Sequence, residues 1–275
     1  MKHPNDLNIF LDSGAFSAWS RKKEIDLDEY CQYIKNNIEF LEVYASLDVI
    51  PGTPGRVAST KDREQAAAQS WENYLYMVNE GLDPLPVYHY GEDKKWLHQM
   101  LDYGCHYIGI GGLVGITSDK RRLWLDRVFS DITDSDGIPK VKTHGFGMTA
   151  LPLIFRYPWY SVDSIAWIRI AQNGGVMVPK TKKDGSFRFD TSPTTIFVSE
   201  DSPMVNKEGK HYRSMGTSVV RIIMKWLEDC GTNLSEVSSN YHYRALVNAS
   251  FFKRVAEEKA ERPFRHKDII QGVFF

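Results

Sequence analysis

Three aspartates stand at the ends of short apolar runs, where carboxylates could carry out glycosidic chemistry. They are Asp12, Asp48 and Asp163. One carboxylate can attack an anomeric carbon while another moves a proton. A carboxylate can also accept two adjacent N–H groups, such as N1–H and N2–H of guanine. These residue types therefore point to chemistry at a sugar–base bond.

Other polar or glycine-rich positions follow apolar runs in the same way. A glycine there presents its backbone N–H with no Cβ in the way. Taken singly, each position is more often a turn residue, a packing glycine or a structural histidine than a functional residue, so the interpretation depends on the ordered combination. The full candidate set is Asp12, Ser13, Asp48, His89, Gly111, Gly112, Leu113, His144, Gly145, Gly147 and Asp163.

Strand-like and helix-like segments alternate between these positions. Apolar periodicity predicts helices at residues 27–38, 60–80, 92–103 and 118–131. Strand, polar loop and helix repeat about six times, which is typical of a parallel sheet built from βα units. Because polar clusters end so many strands, we predict a TIM-type (β/α)8 barrel with the candidate residues at its mouth. A doubly wound open sheet is the main alternative.

The pattern changes after Asp163. An Asp-Gly pair at residues 184–185 lies between two apolar runs and predicts an inserted β-hairpin. Residues 190–212 are expected to be loop-rich, and periodicity then predicts C-terminal helices at roughly 213–230 and 234–261. We expect one domain over residues 1–275, with the hairpin and loop region at about 174–212.

Composition favours a globular protein of a reducing compartment. Apolar residues make up 42% of the chain, and Cys31, Cys105 and Cys230 are too far apart to suggest a disulfide framework or a zinc cluster. No apolar run approaches the ~20 residues of a membrane span, and residues 1–6 lack the apolar region of a secretory signal. We therefore expect a cytoplasmic location and no membrane partner.

Charge is distributed unevenly, although the net charge is only −1. Residues 1–164 carry 17 basic and 23 acidic side chains, whereas residues 165–275 carry 17 basic and 12 acidic ones. The C-terminal part could hold a polyanion. A solvated surface with a chance asymmetry is the alternative interpretation.

In order and spacing, the motifs resemble those of the tRNA-guanine transglycosylase superfamily over roughly residues 9–175. Asp12-Ser13-Gly14-Ala15-Phe16 resembles the family's Asp-Ser-Gly-Gly-Phe, and Ser161-Val162-Asp163-Ser164 resembles its nucleophile motif. The matches between them are Leu47-Asp48 with the proline-rich turn, Val87-Tyr88-His89-Tyr90-Gly91, Ile110-Gly111-Gly112-Leu113-Val114-Gly115 and His144-Gly145-Phe146-Gly147-Met148-Thr149.

The resemblance implies a role for each matched residue. Asp163 would be the nucleophile that attacks C1′, and Asp12 the general acid and base. Asp48 would accept from the guanine N1/N2 edge, the Gly112 N–H would donate to O6, and the Leu113 carbonyl would face C7. The other base-binding residues implied are Ser13, Gly111, His144, Gly145 and His89, which stands where the family has glutamine.

The sequence departs from the family's pattern in two ways. The closely spaced cysteines of the family's zinc site have no counterpart here, and there is no room for an RNA-binding appendage. We therefore expect no zinc subdomain, no metal and no other cofactor. Without these two parts, the chain most resembles the phage DNA-guanine transglycosylases, the DpdA family. Phosphate contacts would then come from Lys180, Lys182, Lys183, Arg188, Lys210 and Arg213, with a solvated hairpin as an equal alternative.

The predicted reaction exchanges guanine in DNA for a free 7-deazaguanine base such as preQ0, through a covalent aspartyl–nucleoside intermediate. A minimal tRNA-guanine transglycosylase acting on tRNA is the first alternative. A non-catalytic, transglycosylase-like subunit that binds a base or a partner is the second, and an unrelated barrel enzyme of small-molecule metabolism is the third. The oligomeric state stays open, with a monomer slightly favoured, and a phage-encoded protein would act in the host cytoplasm.

Overall fold

A computed structural model describes residues 9–260 of the chain. Contacts divide the described residues into two compact units of mixed α/β structure. The first runs through Gly147 and includes Trp159–Val162, and the second comprises Met148–Pro158 and the chain from Asp163 onward. The expectation of one domain over residues 1–275 stays a prediction.

Six parallel strands form the framework of the first unit. They are β1 (Ile9–Leu11), β2 (Leu41–Tyr44), β3 (Val87–His89), β4 (Tyr107–Gly111), β5 (Lys142–Gly145) and β6 (Ser161–Val162). β1 pairs with β2, and β3, β4, β5 and β6 pair in sequence order. A parallel bridge between Ala45 and Leu85 links the end of β2 to the start of β3. The strands therefore follow one another side by side in chain order.

The first five strands are connected by helices of the same unit: α1 (Ala15–Ser20), α2 (Leu27–Asn37), α3 (Thr60–Asn79), α4 (Lys94–Tyr103) and α5 (Ser118–Ile132). The last four confirm the predicted helices to within two residues at each end. Their starts are set locally, because Asp26 and Asp93 accept from backbone N–H groups of the first turn and Ser59 forms a capping box with Asp62. α1 was not predicted, since six residues are too few to show a helical period.

Large side chains on and next to the strands pack into a core, and Gly109 leaves the space that they occupy. Leu85, Val87 and Tyr107 are buried against Phe146 in one cluster. A Cβ added at Gly109 would lie 2.5 Å from the Phe146 ring and 2.7 Å from Leu85. Gly109 is therefore a packing glycine at which even alanine would force its neighbours to shift.

The predicted α/β class with a parallel sheet is confirmed, but a closed barrel is not seen in residues 9–260. The pairings there give a two-stranded and a four-stranded parallel sheet joined by the Ala45–Leu85 bridge. The alternation of βα units explains the parallel pairing, since each helix returns the chain to the same end of the sheet. Closure into a barrel stays a prediction.

The second unit combines antiparallel strands with helices. Its elements are α6 (Leu151–Arg156), α7 (Ala166–Gln172), β7 (Gly175–Val178), β8 (Lys180–Thr181), β9 (Phe187–Arg188), β10 (Thr194–Phe197), α8 (Thr217–Asp229), α9 (Leu234–Ser239) and α10 (Tyr241–Ala260). β7 pairs with β10, and α10 packs on α7 and β7. The fully buried Asn248 of α10 accepts from the Met177 N–H at 2.6 Å and donates to the Trp167 carbonyl at 2.9 Å, which fixes the three elements together.

The hairpin prediction is confirmed, with β8 and β9 paired across a turn in which Gly185 has a φ of +80°. The region after the hairpin is rich in loops, as expected, but it also contains β10, which was not predicted. One other expectation was wrong. The predicted helix at 234–261 is two helices, because Asn240 is extended and its side chain accepts from the His242 N–H at 2.9 Å, which starts α10 anew. Residue 261 lies outside the described chain.

Candidate functional site

The first unit carries Asp12 and every predicted base-binding residue, and most of them lie at strand ends. Asp12 and Ser13 follow β1 directly, and His89 is the last residue of β3. Gly111 and Gly145 are the last residues of β4 and β5. Asp163 follows β6 directly in the chain, is exposed, and belongs to the second unit.

Asp48 is the centre of a buried polar cluster. The Ser13 hydroxyl donates to its Oδ1 at 2.8 Å, and His89 Nε2 lies 2.8 Å from its Oδ2. Only 8% of the Asp48 side chain is exposed. Each carboxylate oxygen thus already has one partner and keeps one lone pair for another.

The other side of His89 faces a second carboxylate, Glu92. His89 Nδ1 lies 3.1 Å from Glu92 Oε1, and the His89 backbone N–H donates to Glu92 Oε2 at 3.0 Å. The Glu92 side chain is only 1% exposed. We call Ser13, Asp48, His89 and Glu92 the Asp48 cluster.

These contacts decide the charge of His89. Burial by itself would lower its pKa, but the hydrogen bonds to Asp48 and Glu92 and their negative charges raise the pKa to about 10. The ring therefore carries a proton on each nitrogen at neutral pH and donates to both carboxylates. Both of its nitrogens are engaged within the protein, so the structure favours a supporting role for His89 rather than direct contact with a base.

Glu92 is the member of the cluster that the sequence analysis missed. The residue pair His89 and Glu92 brackets Gly91, whose φ is +85°, and the Glu92 N–H donates to the His89 carbonyl at 3.2 Å. A glycine two residues after a strand-end histidine, followed by an acidic residue, is a turn signal that could have suggested this pairing.

Two glycines at the end of β4, Gly111 and Gly112, make space for the cluster. A Cβ added at Gly111 would lie 3.0 Å from the His89 ring, and one added at Gly112 would lie 2.9 Å from the Tyr90 backbone nitrogen. Gly112 also has a φ of +73°, a conformation that favours glycine. Gly111 therefore has a packing role, while the exposed Gly112 is compatible with an N–H that faces a ligand.

Helix α3 fixes the backbone on both sides of Asp48. Asn73 donates to the Leu47 carbonyl at 2.8 Å, and the Val49 N–H donates to the Ser70 hydroxyl at 2.8 Å. The carboxylate is thus attached to a main chain that a long helix holds in place.

The charges of Asp12 and Asp48 both act on the buried Tyr30. Burial raises the pKa of Tyr30, and the negative charges of Asp12 and Asp48 raise it further. The Tyr30 hydroxyl itself donates to the Ala45 carbonyl at 2.8 Å. Two carboxylates therefore act on one buried hydroxyl, with Asp12 exposed and Asp48 buried.

His144 belongs to a separate network. Its Nδ1 lies 2.6 Å from the Ser161 hydroxyl, which lies 2.5 Å from the Tyr107 hydroxyl. The imidazole stacks on Phe10 with ring centroids 4.3 Å apart. His144 is buried in this network, Gly145 is buried beside it, and the buried Leu113 accepts at its carbonyl from the Ile116 N–H at 3.4 Å.

The predicted phosphate-binding cations fall into two groups. Arg188 makes two hydrogen bonds to Asp190, at 2.8 and 3.1 Å, and Arg213 pairs with Glu200. The exposed lysines are Lys180, Lys182, Lys183 and Lys210. The lysines are therefore better placed than the arginines to meet a phosphate without breaking an existing pair.

An open groove of about 610 Å³ in the first unit is lined by none of the predicted base-binding residues. Side chains of α3 and α4 line it, including Trp71, Lys95 and Tyr103. Its lining has no pair of carboxylates like that at the strand ends. The groove volume and the arrangement of charged side chains therefore indicate different candidate sites. We favour the strand ends, because buried charges with converging hydrogen bonds are the stronger sign of a functional site.

Within residues 9–260, no group of three or more histidine, cysteine or acidic side chains is arranged to hold a metal ion. The same part of the chain contains no helix that is both long and apolar enough to cross a bilayer. Neither protein-family models nor curated protein sequences give a match to this chain. The transglycosylase resemblance thus stays a prediction from motif order.

Proposed function

We propose that this protein is a DNA-guanine transglycosylase that exchanges guanine for a 7-deazaguanine such as preQ0. The observation that carries the proposal is the Asp48 cluster, a buried anion held by Ser13 and His89, with the exposed Asp12 preceding Ser13 in the chain. A fixed carboxylate with one lone pair left on each oxygen suits two adjacent N–H donors, which guanine and 7-deazaguanines share. No metal, zinc or other cofactor takes part in this proposal.

In this reaction Asp163 is the nucleophile and Asp12 moves the proton. A carboxylate oxygen of Asp163 bonds to C1′ as the C1′–N9 bond breaks, and the electron pair goes to guanine, which Asp12 protonates. The incoming base then loses its N9 proton to Asp12, attacks C1′ and displaces Asp163. Two displacements retain the β configuration.

The remaining parts of the proposal concern fold and substrate. The six parallel strands in chain order support a (β/α)8 barrel, whose mouth is formed by strand ends. The target base leaves the helical stack to reach such a mouth. The exposed lysines of the hairpin support a nucleic-acid partner, and tRNA is the alternative substrate.

The decisive experiment follows a labelled 7-deazaguanine into nucleic acid. Asp163→Asn should abolish incorporation, and Asp12→Asn should slow it by about 10²–10⁴-fold, the range of a lost general acid–base group. Asp136→Asn, at an exposed turn position, is the matched control and should keep wild-type activity. Incorporation by Asp163→Asn at the wild-type rate would end the assignment.

Parallel assays with duplex DNA and tRNA separate the two substrates. Incorporation into DNA alone supports the proposal, and incorporation into tRNA alone replaces it by the minimal tRNA enzyme. A wild-type protein that binds a 7-deazaguanine but modifies neither polymer would be a binding subunit.

A further inference from the structure

Glu92 has no role in the proposed exchange, although its side chain is among the most deeply buried charges of the first unit. Its two oxygens accept from the ring and from the backbone N–H of His89, and the Tyr88 hydroxyl donates to its backbone carbonyl at 3.1 Å. A carboxylate that is 1% exposed is costly to keep charged without a cation at its side. The cation in contact with it is His89.

An imidazole between two carboxylates has one protonation state that satisfies both. A neutral ring carries a single N–H, so one of its nitrogens would direct a lone pair at a carboxylate oxygen. A ring with both protons donates to Asp48 on one side and to Glu92 on the other. By favouring the doubly protonated ring of His89, the Glu92 carboxylate therefore ensures that Asp48 meets an N–H donor.

We propose that Glu92 is a positioning residue that acts through His89 on Asp48, and so sets the orientation in which Asp48 accepts a ligand with two adjacent N–H donors. Ser13 holds Oδ1 and His89 holds Oδ2, which fixes the carboxylate plane. Because it concerns recognition of a base, this role rests on the proposed function. It also explains why a histidine can stand where the resembled family has glutamine, since the histidine is accompanied here by an acidic partner.

Rescue by a second substitution is the sharpest test. In His89→Gln the buried Glu92 loses its cation, so we expect guanine affinity to fall by about 10–100-fold, as for a lost hydrogen bond to a charged group. In the double variant His89→Gln, Glu92→Gln, the amide at position 89 can donate to Asp48, and its oxygen can accept from the amide at position 92. Affinity should then return to within about threefold of wild type, as it would not if position 92 mattered only for folding.

Glu92→Gln alone separates positioning from mere folding. Guanine and preQ0 binding is measured by calorimetry, and the protonation of His89 by ¹⁵N NMR across pH, with Glu72→Gln on the exposed side of α3 as the control. We expect weaker binding of both bases, little change in the control, and a His89 ring that loses its proton at lower pH than in wild type. Unchanged affinity and an unchanged His89 titration in Glu92→Gln would overturn the proposal, as would a double variant no better than His89→Gln.

Base binding by the wild-type protein and rescue by the double variant together distinguish the failure of this proposal from the failure of the proposed function. If wild-type protein binds neither guanine nor preQ0, the base-exchange function fails and this role fails with it. If the bases bind and are exchanged but the double variant gives no rescue, only the role of Glu92 fails.

Discussion

At the scale of single residues, Asp48 depends on donors that come from two other strand ends. Ser13 lies 35 positions before it and His89 lies 41 positions after it. Both donors are buried, so their hydrogen bonds form in a medium that strengthens electrostatic interactions. The carboxylate is held by its neighbours before any ligand arrives, which is the preorganisation that recognition requires.

The raised pKa of His89 predicts how stability depends on pH. A pKa of about 10 in the folded chain lies above the ordinary value of 6.5, so the folded state binds the proton more tightly. This contribution to the free energy of unfolding is fully present below about pH 6.5, and it is lost as pH rises through about 10. Each pKa unit corresponds to about 1.4 kcal/mol, so a loss of a few kcal/mol is expected over this window.

Denaturant unfolding between pH 6.5 and 9.5 checks this prediction, with the double variant His89→Gln, Glu92→Gln as the comparison. The wild-type free energy of unfolding should fall more steeply with pH than that of the variant. Parallel pH profiles for the two proteins would show that His89 carries no such proton in the folded chain.

At the scale of elements, close packing between β3 and β4 decides where the imidazole lies. Gly111 is paired with His89 across the two strands, and a Cβ there would lie 3.0 Å from the ring and 3.2 Å from Val87. Neither neighbour can move far, because both are buried. The strand pairing thus positions the imidazole as firmly as its hydrogen bonds do.

Gly111→Ala should therefore displace His89 and weaken the Asp48 cluster. Overpacking of this kind costs about 1–3 kcal/mol of stability. We expect a loss in that range, together with reduced binding of guanine, measured by denaturant unfolding and calorimetry. Gly216→Ala is the matched control, because a Cβ there meets nothing within 4 Å and the backbone φ of −66° suits alanine. Equal effects of the two substitutions would contradict this account.

At the scale of the whole molecule, charge indicates which surface would meet a nucleic acid. The C-terminal part of the chain has more basic than acidic side chains, and three of its exposed lysines, Lys180, Lys182 and Lys183, lie on one hairpin. Arg188 lies on the same hairpin, but Asp190 holds its guanidinium. The lysines are thus expected to supply the salt-dependent part of binding.

A triple variant with glutamine at Lys180, Lys182 and Lys183 should bind DNA more weakly and with less dependence on salt. If all three lysines contact phosphates, the slope of log affinity against log salt should drop by about 2–3. Arg188→Gln should change the slope by less, and Lys120→Gln on α5 is the control. Fluorescence anisotropy across salt concentrations measures the slope for each variant. An unchanged slope in the triple variant would show that these lysines do not contact the nucleic acid.

The sequence by itself determined the α/β class, the order of the six strands and of helices α2 to α5, the hairpin turn and the position of Asp12, His89 and Asp163 at or next to strand ends. These features are local, since periodicity, caps and turn residues act over a few neighbouring positions. It also placed Asp48 near a strand end, but it gave no sign of what that carboxylate would contact. β10 was missed because a strand of four residues is defined by its partner β7 and not by its own pattern.

Only the tertiary structure decided the partners of each charge. It joined Ser13, Asp48 and His89, which lie far apart along the chain, and it revealed that Glu92 accepts from the other side of the imidazole. It likewise showed that Arg188 and Arg213 already have acidic partners. Most of these contacts depend on packing between distant segments, and burial then sets their energies, so no local pattern in the sequence could have specified them.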